Sequence, residues 1–78
     1  MSKKMKGLQE MVDVISIAIA REQASIRFYT EANQKAGTET IQRMFSLLLE
    51  QEKGHEAKLT AQLHEVRADI ELEKLKRK

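Results

Sequence analysis

Three residues with metal-ligating side chains interrupt the apolar pattern in the middle of the chain: Glu22, Glu52 and His55. Apolar residues recur around them at steps of three and four, so all three fall on the helix side that is expected to be buried. A bare carboxylate is very costly to bury, and such groups are normally paired, protonated or bound to a cation. Carboxylate and imidazole ligands without thiolate suit iron or manganese, and zinc is also compatible with them.

The spacing of these side chains places them at one level of a helical hairpin. Glu52 and His55 are three residues apart, which puts them about one turn apart on the same helix face. Glu22 precedes Gly37 by 15 residues and Glu52 follows Thr38 by 14, so the two carboxylates are level if the chain reverses there. One chain supplies three ligands, whereas a twofold dimer supplies four carboxylates and two imidazoles, the ligand set of di-iron carboxylate bundles. We therefore predict a site for two metal ions that is shared by a dimer.

Each of these residues also has a purely structural interpretation. A Glu-x-x-His sequence arises by chance in charged helices, and Glu22 could instead form an interhelical ion pair with a nearby basic residue: Arg21, Arg27 or Lys53. Tyr29 alone is typical of an aromatic residue at the edge of a core. We expect the other acidic and imidazole side chains near the motif to be solvated: Glu50, Glu56 and His64.

The apolar pattern predicts an all-α chain of two helices. The first is expected from about residue 8 to 35, because apolar residues recur at helical spacing from Leu8 to Tyr29. Gly37 is a candidate C-terminal cap for it, and Thr38 or Thr40 is a candidate N-cap for the second. The second helix, from about 39 to 76, would be roughly 57 Å long against roughly 40 Å for the first. Its last turns should therefore extend beyond the first helix.

A two-helix hairpin has one apolar stripe per helix and cannot enclose a core. At this size a second chain usually supplies the missing half. We expect an antiparallel hairpin, one domain of residues 1–78, that dimerises with twofold symmetry into a four-helix bundle. Residues 64–78, at the end of the longer helix, are available to build a higher assembly.

Composition excludes several classes of protein. The 78 residues allow one small domain, and the absence of cysteine excludes disulfide scaffolds, thiolate metal sites and a cysteine nucleophile. The longest apolar run, residues 17–20, is far shorter than the roughly 20 residues of a membrane span. No apolar signal core follows the N-terminal lysines, so we expect a cytoplasmic protein. The basic residues near both ends are expected to be solvated, and a nucleic-acid contact through them is the least favoured interpretation.

Two segments resemble the rubrerythrin branch of the ferritin-like superfamily. Residues 18–29 (AIAREQASIRFY) are similar to its first-helix pattern, and residues 45–55 (FSLLLEQEKGH) to its Glu-x-x-His helix. The resemblance implies ligand roles for Glu22, Glu52 and His55, and a hydrogen bond from Tyr29 to a ligand carboxylate. Rubrerythrins carry four bundle helices in one chain, whereas this chain has two, which agrees with a dimer. Ser25 stands where one half of the rubrerythrin bundle has a further carboxylate.

These observations favour a homodimeric di-iron protein with two iron ions per dimer, which binds Fe(II) and reacts with dioxygen or peroxide. Rubrerythrins receive electrons through a cysteine-ligated iron centre, which this chain lacks, so an external electron donor would be needed. Whether turnover is enzymatic, as in a ferroxidase or peroxide reductase, is left open, and a non-enzymatic iron-binding protein is the alternative. A structural interaction module is a third hypothesis, with Glu22 and Glu52 in buried ion pairs.

Overall fold

The computed structural model describes residues 2–76, and in that range it contains two α-helices and no strand. Helix α1 spans Lys3–Lys35 and helix α2 spans Glu39–Lys76. They run antiparallel and form a rod with extents of 61 × 14 × 13 Å. The predicted all-α hairpin is thereby confirmed. Arg77 and Lys78, which belong to the predicted basic end, lie outside the described residues.

Helix α1 begins five residues earlier than the apolar pattern predicted, because Ser2 caps it. The Ser2 Oγ accepts a hydrogen bond from the Met5 backbone N–H at 3.1 Å, and its carbonyl accepts one from the Lys6 N–H at 3.1 Å. The added turns bring Met5 into the core, where it is 4% exposed. They also place the Lys4 Nζ 3.0 Å from Glu73 Oε1 near the end of α2. Helix α1 therefore covers α2 to about Glu73, so only the final residues of α2, rather than several turns, extend beyond α1.

The reversal between the helices uses Thr38 rather than a left-handed glycine. Thr38 Oγ1 accepts a hydrogen bond from the Ile41 N–H at 3.2 Å, and its carbonyl accepts one from the Gln42 N–H at 3.0 Å. Of the two N-cap candidates, the structure thus selects Thr38. Within residues 2–76 no glycine has a positive φ, so Gly37 is not the left-handed cap that was predicted. Ala36 ends α1 in an extended conformation instead.

The core of the hairpin is small. Among the described residues, only Met5, Ile15 and Leu63 are buried. The accessible surface is 6036 Å², about 1,200 Å² more than the roughly 4,850 Å² expected for a folded monomer of this mass. Many large apolar side chains remain exposed: Met11, Val14, Ile17, Phe28, Ile41, Met44, Leu47, Leu72 and Leu75. A single hairpin therefore leaves much apolar surface in contact with water.

Neither helix has a stretch, within residues 2–76, that is long and apolar enough to cross a bilayer.

Candidate metal centre

The two helices bring Glu22, Glu52 and His55 together near the middle of the rod. Glu22 lies on α1 at helical spacing from Ile19 and Ile26, which point in the same general direction towards α2. Glu52 and His55 lie one turn apart on α2. The helices are antiparallel and the chain reverses at residues 36–38, so residues at equal distances from the turn on the two helices lie next to each other.

The donor atoms of the three side chains converge. One ligand atom of each residue lies within 4.8 Å of one ligand atom of each of the other two. Among them, His55 Nδ1 lies 3.8 Å from Glu22 Oε1. Bonds of about 2.0–2.2 Å to a metal ion allow two donors of that ion to lie up to about 4.4 Å apart. Small side-chain movements would therefore let the three groups bind one cation.

Burial differs among the three residues. The Glu22 side chain is 22% exposed, Glu52 is half-buried and the His55 side chain is 57% exposed. The Glu22 Oε2 atom is fully buried and has no hydrogen-bond partner. Buried polar atoms are almost always satisfied, so an unpartnered carboxylate oxygen within a cluster of ligands is the feature that a bound cation would explain.

The neighbouring Glu52 affects the protonation of Glu22. The pKa of Glu22 is raised above its ordinary value of 4.5, first by a hydrogen bond with Glu52, then by burial and by the negative charge of Glu52. His55 acts in the opposite direction and lowers this pKa. A divalent cation bound at these side chains would also act in the opposite direction and favour the ionised form of Glu22.

Glu56 is a further acidic residue beside the cluster. It was expected to be solvated, but it is half-buried, and its charge contributes to raising the Glu22 pKa. The available signal was its position four residues after Glu52, which places both on the same face of α2. Glu50 and His64 are exposed, as their positions indicated.

Tyr29 contacts other aromatic residues rather than the carboxylates of its own protomer. Its ring centroid lies 5.5 Å from that of Phe28, in an edge-on arrangement, and 6.1 Å from that of Phe45. Seven residues separate Tyr29 from Glu22, about 10 Å along the helix axis. Within residues 2–76 its hydroxyl group makes no hydrogen bond. The predicted bond to a ligand carboxylate stays a prediction.

Two shallow grooves meet at Glu22 and show where the cluster opens to solvent. One groove runs along α1, and its lining residues are Val14, Ile17, Ala18, Arg21 and Glu22. The other groove reaches α2, and its lining residues are Glu22, His55, Lys58, Leu59 and Gln62. The cluster therefore opens on the side of the hairpin that also carries exposed apolar residues of α1.

Comparison with known proteins identifies one family. The family model described as Rubrerythrin matches residues 2–63, which include all three converging side chains and all of α1. No curated protein and no solved structure matches the chain.

Proposed function

Because the chain belongs to the rubrerythrin family over residues 2–63, we propose that it is a di-iron carboxylate protein whose site is completed by two copies of the chain. Glu22, Glu52 and His55 of each copy are the proposed ligands. The observation that carries this proposal is their convergence within 4.8 Å around a buried Glu22 oxygen that has no partner. This agrees with the resemblance seen in the sequence, which the family match confirms.

The charges of the ligands support two divalent ions per dimer. Each copy offers two carboxylates and one imidazole, so two copies offer a charge of −4 when the carboxylates are ionised. Two divalent ions neutralise that charge, which removes most of the cost of keeping the carboxylates close together away from water. The oxygen and nitrogen donors suit iron and manganese, and the family match favours iron.

Iron in such a site supplies one-electron redox chemistry toward dioxygen or peroxide. The chain itself supplies the ligand geometry, through Glu22, Glu52 and His55. Ser25, one turn after Glu22, offers no further carboxylate. The sequence also has no cysteine for a second iron centre of the rubredoxin type, so electrons for repeated turnover would come from an external donor.

Matched substitutions on α2 test the iron site. Glu52→Ala and His55→Ala are expected to abolish iron binding, because each removes a ligand and leaves too few donors for the ion. Glu50→Ala and His64→Ala change the same residue types at exposed positions of the same helix and should leave binding intact. The measurement is the iron content of purified protein after Fe(II) loading, by elemental analysis. Equal iron content in all four variants would contradict the proposal.

The kinetics of iron oxidation separate an enzyme from an iron-binding protein. In stopped-flow absorbance, mixing the Fe(II)-loaded protein with dioxygen or peroxide should give a fast ferric signal that reductant reverses and a second addition restores. Slow oxidation that occurs once per bound iron would instead support the non-enzymatic alternative.

A structural helical module is the second candidate function, and the 3.8 Å contact between His55 and Glu22 favours it. In the described part of the chain, this is the one ion pair that Glu22 forms, and the predicted pairs with Arg21, Arg27 or Lys53 are absent. A structural pair needs no metal. Under this alternative, the wild-type protein would bind no iron, and His55→Ala would weaken folding without changing any metal content.

A further inference from the structure

One side of α1 carries large apolar residues that the protomer does not cover. Met11, Val14, Ile17 and Phe28 are between 45% and 66% exposed, and the half-buried Ala18 lies among them. These five residues, here called the α1 apolar face, follow one another at helical spacing over about five turns. Exposed apolar surface of this kind, which here is interrupted by Arg21, is typical of a protein interface.

The α1 apolar face is continuous with the open side of the metal cluster. The groove lined by Val14, Ile17 and Ala18 ends at Glu22, and Glu22 also borders the groove that contains His55. A molecule bound to this face would therefore also cover the open side of the cluster. Any additional metal ligands would have to come from that side.

The opposite side of the hairpin is polar. By helical geometry, it carries a set of side chains that are all exposed: Ser16, Gln23, Thr30, Lys53, Thr60 and Arg67. The difference between the two sides gives the hairpin a single apolar side along its middle part. An occupant held by apolar contacts would choose that side.

We propose that the α1 apolar face is the dimer interface and that its occupant is a second copy of this chain, with α1 packed antiparallel against α1 of the partner. This inference rests on the proposed function, because the occupant must bring two more carboxylates and an imidazole to the same place. A second copy does so when the twofold axis crosses the rod at the level of Glu22 and His55. One copy then completes the other's site.

The available area and the small residues of α1 agree with this arrangement. The rod is 61 Å long, and two helices side by side are about 20 Å wide, so the whole side of the hairpin, formed by α1 and α2 together and including the α1 apolar face, offers roughly 1,200 Å². A standard interface needs about 800 Å² from each partner. Gly7, Ser25 and Ala32 share the side of α1 that carries this face, at helical spacing, and would leave room for large side chains of the partner helix. Nothing lies within 4 Å of a Cβ built on Gly7, so the protomer itself does not require a glycine there.

Two substitutions at equally exposed positions test the face. Val14 is 55% exposed on the α1 apolar face, and Leu72 is 56% exposed near the end of α2, on the side directed away from α1. Val14→Glu is expected to convert the dimer to a monomer in sedimentation equilibrium, whereas Leu72→Glu should leave it dimeric. A dimer that persists in Val14→Glu would overturn the proposal, provided that circular dichroism shows native helix content.

A cross-linking experiment decides the matter if Val14→Glu fails to fold. The chain has no cysteine, so a single engineered thiol reports on one position. Ser25→Cys lies one turn from Glu22 on the proposed interface, and a short bis-maleimide should join two such chains into a covalent dimer. Ser16→Cys, on the polar side, should not cross-link. Equal cross-linking of the two variants, or none in Ser25→Cys, contradicts the proposed interface.

The outcomes also separate this interface from the proposed function. Suppose that the dimer binds two iron ions, that Val14→Glu stays dimeric and that Ser25→Cys does not cross-link. The proposed interface is then wrong, and the proposed iron site is unaffected. If Val14→Glu is a monomer but the wild-type dimer binds no iron, the proposed iron site is wrong and the proposed interface is unaffected.

Discussion

At the scale of single residues, the main feature of the candidate site is the Glu22 carboxyl group, whose oxygen atoms can hold a proton or, in the proposed site, a metal ion. Its carboxyl group lies beside Glu52 and His55, and one of its oxygens is buried without a partner. Without a cation, the neighbouring carboxyl group and burial raise its pKa, so the folded protein retains a proton that the unfolded chain would release. In the proposed site, a proton and a metal ion would therefore compete for the same oxygen atoms.

This competition predicts how the stability of the metal-free protein depends on pH. Since the folded-state pKa of Glu22 is raised above 4.5, its stabilising contribution is complete below that value and is lost as the pH rises through the raised pKa. Glu22→Gln cannot ionise and should remove this decline. The measurement is the free energy of unfolding in urea at a series of pH values above 4.5. A decline of the same size in Glu22→Gln would show that another group causes it.

Glu73 provides the opposite trend as an internal control. A hydrogen bond from Lys4 lowers its pKa in the folded protein, and Lys76 adds to this effect. Its stabilising contribution is present above the ordinary value of 4.5 and is lost as the pH falls through the lowered pKa. Glu73→Gln should therefore change the stability profile on the acid side of 4.5 and leave the decline due to Glu22 in place.

The candidate site could be predicted from the sequence because two independent signals coincided. Glu22, Glu52 and His55 occupy apolar-side positions, and they are level when counted from the turn. The half-burial of Glu56 was missed, because its position at the edge of the stripe, four residues after Glu52, is compatible with either solvation or burial. Tyr29 follows Glu22 by seven residues, so the sequence predicts that both lie on the same side of α1. The sequence does not predict the contacts of the Tyr29 ring, which depend on packing against Phe45.

At the scale of the helices, the pattern predicted their number, their type and three of their four ends, and it missed only the start of α1. The first helix begins early because capping by Ser2 acts through one local hydrogen bond, which apolar periodicity does not report. The same hydrogen bond accounts for the burial of Met5 and for the Lys4–Glu73 ion pair. A boundary error of five residues thus changed the expectation for the whole end of α2.

The middle of α2 carries a glycine that the protomer does not need. Gly54 is exposed, its φ is not positive, and nothing lies within 4 Å of a Cβ built on it. Gly54→Ala should therefore stabilise the protein by about 0.8–1.0 kcal/mol, the difference in helix propensity between the two residues. Chemical denaturation measures the change.

Iron loading provides the control for Gly54→Ala, since His55 is adjacent in sequence. Helical geometry turns the two side chains about 100° apart, so the iron content of Gly54→Ala should equal that of the wild type. Destabilisation by this substitution would mean that another chain approaches the α2 backbone closely at this position.

At the scale of the whole molecule, the hairpin looks like half of a bundle. Its accessible surface exceeds that of a folded monomer of the same mass by about 1,200 Å², and its apolar residues are concentrated on one side. Length and stripe count predicted this incompleteness, because two helices cannot surround a core. They could not indicate which face a second chain would cover; the proposed face rests on the exposure of Met11, Val14, Ile17 and Phe28.

The central claim is that two copies of the chain hold two metal ions between them, and anomalous scattering from crystals of the iron-loaded protein tests it most directly. We expect two iron peaks related by the dimer axis, about 3.5–4 Å apart as in other two-metal sites, with Glu22, Glu52 and His55 of both copies around them. No iron at these side chains, or the same three side chains facing bulk water in the dimer, would contradict the account.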